Sequence, residues 1–138
     1  MIAMHETDAL VIGSDQVAIC RNRVLGKPGN RKMAMSQLGQ MKGETLVFYT
    51  GLCLINAKNE REQVECVEYE VRFRAYSTTE IDRYLTAEKP YNCAASFKSE
   101  SFGISLVEAM HGSDPSALVG LPLIRLAAML RSEGLKIP

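Results

Sequence analysis

The sharpest alternation in the chain runs from Val67 to Arg74. Val67, Tyr69, Val71 and Phe73 point one way, and Glu68, Glu70, Arg72 and Arg74 the other. A period of two predicts a strand with one buried and one solvated face. Upstream, "TLVFYTGLCLI" is long, rich in strand formers and apolar on both faces, which predicts a central strand. The polar "NAKNERE" between the two reads as a hairpin loop. "ALVIG", residues 9 to 13, is a short continuous apolar run, typical of a strand buried on both faces and ending at Ser14-Asp15-Gln16. "VAIC" and "VLGK" flank the turn-like Arg21-Asn22-Arg23 and predict a hairpin.

Helical spacing appears three times. Ala34, Leu38 and Met41 fall at i, i+4 and i+7, with Asn30 placed to cap the start and Gly43 to end the helix. "STTEIDRYL" opens with a capping box, Ser77 at the cap and Glu80 three residues on, and Pro90 stops the helix. Pro122 stands where a first turn would have it. Leu123, Leu126, Ala127 and Leu130 then make the stripe of a closing helix, ended by Gly134. Between the second and third helices, "CAASFKSESFGISLVEAM" reads as short strand-like pieces broken by small and polar residues. With no internal repeat or low-complexity linker, the ordering predicts a single α/β domain over residues 1–138, a mixed sheet flanked by helices.

Charge narrows the function classes. The 138 residues hold 16 basic and 16 acidic side chains, a formal net charge of zero, with no block of like charges. That balance argues against a dedicated nucleic-acid or anionic-membrane surface. No apolar run is long enough to span a membrane, and "MIAMHETDAL" lacks the regions of a signal peptide. Cys20, Cys53, Cys66 and Cys93 show no C-x-x-C spacing and read as thiols of a reducing compartment, so the cytoplasm is expected.

Two stretches carry candidate chemistry. Asp15 reads either as a turn or cap carboxylate just past a strand, or as a site residue, since α/β sheets bind ligands beyond the carboxyl ends of their strands. In the second reading it holds a divalent metal or takes a proton from water. Lys27, stiffened by Pro28, could reach a phosphate; alone it reads as a solvated lysine. In "SFKSESFG", residues 96 to 103, Lys98 and Glu100 would share a face if the segment is extended. Such a pair is ordinarily a weak surface ion pair, but the serines and Gly103 around it suggest a ligand loop. His5 and His111 are isolated, and no Ser/His/Asp or Cys/His set stands out.

Taken together, "GSDQV…GKP", "FYTGL", "SxxEIDxYL", "CAxSFKSExFG" and "GLPL…LAAMLRSEG" resemble the Maf family of nucleoside triphosphate pyrophosphatases, from about Ala9 to Gly134. "GSDQ" with "FKSE" is similar to the YceF-type subgroup, which resembles 7-methyl-GTP pyrophosphatases. The resemblance implies a Maf/inosine-triphosphatase-like sheet with a nucleotide cleft and a homodimer. It also implies Asp15 as catalytic acceptor and metal ligand, Lys27 and Lys98 as phosphate-side groups, and Gln16 and Glu100 as determinants of base choice. The implied cofactor is magnesium or manganese, and the implied partner a nucleoside triphosphate, cut between its α- and β-phosphates in a house-cleaning role.

Ala95 and Ser101 stand where the family usually has glycine, each adding a side chain where the backbone needs freedom. Family members also open with a strand and an "ASxSPRR" phosphate loop before "GSDQ", whereas few residues precede Ala9 here. The expectation is therefore a domain whose N-terminal strand and phosphate loop are absent, weakly active or inactive, and prone to aggregate unless dimerisation or altered packing covers the exposed edge. Three readings stay open: a 7-methyl-GTP pyrophosphatase, a relative acting on other modified or canonical nucleotides such as dTTP or UTP, or a non-catalytic nucleotide-binding chain.

Overall fold

The computed structural model describes residues 8–138. Its strands are β1 (Leu10–Cys20), β2 (Arg23–Val24), β3 (Thr45–Asn56), β4 (Arg61–Phe73) and β5 (Val107–His111). Its helices are α1 (Arg31–Met41), α2 (Thr78–Glu88) and α3 (Leu123–Ser132). The strands form one sheet in the order β2-β1-β3-β4-β5, and every pairing among the described residues is antiparallel. The α/β organisation is the one the ordering implies and β3 is central, but among the described residues the sheet is antiparallel rather than mixed, because each strand pairs with a neighbour running the other way.

Local signals act where the spacing puts them. The Asn30 side chain accepts from the Met33 N–H at 2.9 Å and starts α1. Ser77 and Glu80 form both halves of the capping box on α2. Arg21 and Asn22 both take positive φ, the two-residue hairpin geometry that matches strand twist, and join β1 to β2.

Burial is one-sided. Leu46, Phe48, Tyr69, Val71 and Phe73 pack against Ala34, Leu38 and Met41 of α1 and Ile81, Tyr84 and Leu85 of α2. Leu52 and Leu54 of the same face pack against Leu126 and Met129 of α3. The opposite face carries Glu68, Glu70 and Arg72, together with Val17 and Val64, the last 68% exposed. This corrects the expectation that "ALVIG" and "TLVFYTGLCLI" are buried on both faces. All three helices pack on one side, so outer-face residues of β1 and β3 such as Val11, Val17 and Val47 stay partly open.

Four further differences have physical causes. β1 does not stop at Ser14-Asp15-Gln16, because its partner β3 is long enough to carry the ladder on: Ser14, Asp15 and Gln16 pair with Leu52, Gly51 and Thr50. β4 begins at Arg61, so the hairpin loop shrinks to residues 57–60. Residues 94–106 fold mostly as 3₁₀ turns (Ala94–Ser96 and Phe102–Leu106), and only Val107–His111 becomes a strand. On α3, Leu123 is 54% exposed and Met129 joins Leu126 in the core, because the helix meets β3 one step round from the expected stripe.

Candidate active site

A cleft of about 300 Å³ opens beside β1, lined by Ser14, Asp15, Gln16, Lys27, Cys93 and Glu100, with Leu118, Val119 and Gly120 closing one end. Of the five residues singled out from sequence, four meet here: Asp15, Gln16, Lys27 and Glu100. Lys98 is not among the lining residues; its Nζ sits 3.3 Å from a Glu88 carboxylate oxygen. His111 lies on β5, away from the cleft, and His5 lies outside the described residues.

The β1 wall owes its arrangement to strand periodicity. Ser14 and Gln16 share a face and reach to the 115–120 segment: Ser14 Oγ donates to Gly120 O at 2.6 Å, and Gln16 Nε2 to Ala117 O at 2.8 Å. Buried Thr50, opposite Gln16 in register, donates to the same Ala117 carbonyl at 3.1 Å and takes a bond from Gln16 Nε2. Asp15 alternates to the other side. It is exposed, accepts its neighbour Gln16's N–H at 2.8 Å, and borders both the cleft and a shallow surface at Gly51, Cys53 and Val64. Asp15 is thus neither a helix cap nor a residue past the strand end, but a rim carboxylate in mid-strand.

Lys27 is exposed and makes no ion pair among the described residues. Its backbone is fixed nonetheless. The Ala95 N–H donates to the carbonyls of Leu25 and Gly26 at 3.1 Å, and Gly29 N donates to Tyr91 O at 2.9 Å. Gln37 of α1 donates to Gly26 O and accepts from buried Ser96 Oγ, tying helix, Lys27 segment and loop into one polar network.

The third wall hangs on Asp114, nearly fully buried. Its carboxylate accepts from Ser116 N, from the Ser116 hydroxyl and from Ile124 N, holding the Pro115–Val119 turn against the start of α3.

Residues 93–103 form the loop wall. Phe97 is buried against Phe48 and Phe73, with ring centroids 5.7 and 5.0 Å apart, which seats the loop in the core. Beyond it the backbone turns at Ser99–Ser101, so the expectation that Lys98 and Glu100 project from one face of an extended segment does not hold. Glu100 goes to the cleft and Lys98 to Glu88. A Cβ on Gly103 would lie 2.3 Å from Lys98 O, so this close turn needs glycine there.

Of the two residues standing for glycines, Ala95 has φ 57°, a left-handed conformation that glycine suits better. Ser101 has φ −136° and carries no such strain; its Oγ donates to Glu88 at 2.8 Å. Burial pushes the Cys93 thiol up, and Glu100 adds to the effect, so Cys93 is not a ready nucleophile.

Sequence reasoning missed Thr50, Glu88 and Asp114. A threonine within an apolar strand and an acid in the last turn of a helix, where the dipole disfavours it, were the available signals. Asp114 precedes a proline, as a turn-starting aspartate does.

Known proteins are similar in sequence along most of the chain. The chain is 49% identical over 137 residues to a 7-methyl-GTP pyrophosphatase of Alcanivorax borkumensis, covering 99% of this chain and 70% of that protein. It is 48% identical to a protein of the same description from Aromatoleum aromaticum, with 99% and 71% covered. A third, from Idiomarina loihiensis, is 48% identical over 132 residues, with 96% and 67% covered. The family model described as Maf-like protein matches residues 1–133, and the chain therefore belongs to the Maf-like family.

Proposed function

We propose that the chain hydrolyses 7-methyl-GTP between its α- and β-phosphates, releasing the nucleoside monophosphate and pyrophosphate. The convergence of Asp15, Gln16, Lys27 and Glu100, scattered over 86 positions from Asp15 to Glu100, on one cleft carries this reading. The names of the relatives support the substrate.

In this reading Asp15, exposed and with one oxygen engaged only by a backbone N–H, takes a proton from the attacking water. Lys27 balances charge on the phosphate oxygens. Gln16 has its amide nitrogen committed to Thr50 and Ala117, which leaves its carbonyl oxygen for substrate. Glu100 accepts from the base: methylation at N7 makes the guanine ring cationic and its N1–H a better donor, so a carboxylate favours it over a pyrimidine. Lys98, held by Glu88, is assigned to the loop rather than to the phosphates.

Among the described residues no group of three or more His, Cys, Asp and Glu gathers as a metal cage. The Asp15 carboxylate suits magnesium or manganese held by one protein oxygen plus substrate phosphates, the usual mode for magnesium. Bound there, the ion would neutralise phosphate charge and acidify the attacking water.

The cytoplasm belongs to the same reading, supported by four cysteines that are all free. No helix among the described residues is long and apolar enough to cross a membrane. So does a homodimer, supported by Val17 and Val64 left open on the outer sheet face and checked by light scattering.

The deciding experiment measures pyrophosphate release from 7-methyl-GTP, GTP, dTTP and UTP with magnesium or manganese. The expected result is turnover of 7-methyl-GTP well above dTTP. Preference for dTTP or UTP would move the enzyme to the other substrate class, and binding of 7-methyl-GTP without turnover would make it a nucleotide-binding protein.

A further inference from the structure

Glu88 is the last residue of α2, and its side chain is only 5% exposed. A carboxylate at a helix C-terminus meets the negative end of the dipole and gains nothing from it. Burial there is a second cost, and the two are offset by specific partners. Ser101 Oγ donates to Oε2 at 2.8 Å, Phe102 N donates to the same oxygen at 3.4 Å, and Lys98 Nζ lies 3.3 Å from Oε1. Desolvation would raise this carboxyl's pKa, but the bonds from Ser101, Phe102 and Lys98 outweigh it and hold the group below its ordinary value, ionised at neutral pH.

The three partners flank two residues that the carboxylate does not touch, Ser99 and Glu100. Lys98 and Ser101 bracket Glu100, whose side chain lines the cleft. One helical turn before Glu88, at i−4, buried Tyr84 donates its hydroxyl to Ser96 O at 2.7 Å and accepts from Lys98 N at 3.1 Å. The last turn of α2 therefore grips the loop at Ser96, Lys98, Ser101 and Phe102. Between those grips only Ser99 and Glu100 are free to move.

We propose that Glu88 is the positioning residue for Glu100, its buried carboxylate pinning residues 98–102 so that Glu100 stands where it selects the nucleobase. This deepens the reading above and rests on Glu100 as the base-reading group. Removing the anchor lets the loop tip sample several positions, which spoils recognition more than chemistry, because Asp15 is held by the β1–β3 ladder and the Lys27 segment by Ala95, Ser96 and Gln37, upstream of the freed tip. A displacement of about 1 Å at a recognition group is enough to cost an order of magnitude or more.

The test compares wild type, Glu88→Ala, Glu88→Gln, Glu100→Gln and the Glu88→Ala/Glu100→Gln double variant. kcat and KM are measured on 7-methyl-GTP and GTP, and hydrogen exchange is followed at the amides of residues 99–103. In Glu88→Ala the expected results are a KM for 7-methyl-GTP raised about tenfold, kcat within about threefold, and discrimination over GTP reduced about tenfold. Exchange at Ser101 and Phe102 should quicken by at least about tenfold. Glu88→Gln keeps an acceptor for Ser101 and Phe102 but loses the charge facing Lys98, and should fall between. In the double variant the loss of discrimination should be no greater than in Glu100→Gln alone, since both changes remove one function.

Unchanged exchange at 101–102, an additive double variant, or an equal loss of kcat on both nucleotides would overturn the proposal. Should Glu88→Ala fail to fold, Glu88→Gln with Ser101→Ala supplies the same comparison. If Glu100→Gln leaves discrimination untouched, the base-reading role itself is wrong. If Glu100→Gln abolishes discrimination while the Glu88 variants keep it, only the positioning role is.

Discussion

Asp15 and Glu100 border the same cleft, yet they are held there in different ways. Asp15 stands in the middle of an 11-residue strand, with Ser14 and Gln16 on either side paired to β3. Its backbone is fixed by a ladder that would hold almost any side chain at that position. Glu100 stands on a turn with no ladder, and the loop around it depends on side chains: Phe97 in the core, Ser96 on Gln37, Tyr84 and Glu88 on α2. In the proposed reading, the group given proton transfer sits on the rigid element and Glu100, given base choice, on the adjustable one. Substrate preference could then change through a loop and its anchors without disturbing Asp15.

The strongest way to break that comparison is Asp15→Asn. It keeps the shape and removes the base, so turnover should fall by about 10² or more. Because Asp15 is exposed and its backbone is paired, the melting temperature should hardly move. Turnover within a few-fold of wild type would return Asp15 to an ordinary strand-edge residue.

Next in size is the pair Glu100→Gln with Gln16→Thr. Preference for 7-methyl-GTP over dTTP or UTP should drop by at least about tenfold, since the carboxylate matched to a cationic purine is gone. A uniform loss of rate on every nucleotide would show that the loop wall carries chemistry after all and erase the contrast.

Ser96→Ala sharpens it from the side of stability. The change leaves Gln37 Oε1 buried without its donor, which should cost about 1–3 kcal/mol in chemical denaturation. Tyr84 still accepts from Lys98 and donates to the Ser96 carbonyl, so the fold should survive while the Lys27 segment loosens. No change in the denaturation midpoint would mean that the network does not hold the loop.

The smallest effect has the opposite sign. Ala95→Gly relieves a left-handed alanine and should stabilise by up to about 1 kcal/mol, offset in part by the chain entropy of glycine. A melting temperature lowered by the substitution would show that packing of the buried Ala95 methyl outweighs the strain.

Much of the fold was legible because it rests on local chemistry. Asn30 and the Ser77/Glu80 box mark helix starts through bonds made within three residues, and the Val67–Phe73 alternation reports one buried face directly. The cleft residues Asp15, Gln16, Lys27 and Glu100 were legible too, through motifs that resemble the family's, although no spacing along the chain brings them together. What tertiary structure alone decided was partnership. The length of β3 carries β1 through the polar Ser14–Gln16, which local sequence reads as a strand end. The placement of all three helices on one side leaves an apolar strand half open. And the fold of residues 98–103 separates Lys98 from Glu100, because a buried carboxylate on α2 attracts the lysine more than its neighbour two residues away does. Sequence specifies what each residue prefers nearby; which distant group satisfies a charge or covers a strand depends on distances that exist only after the chain has closed on itself.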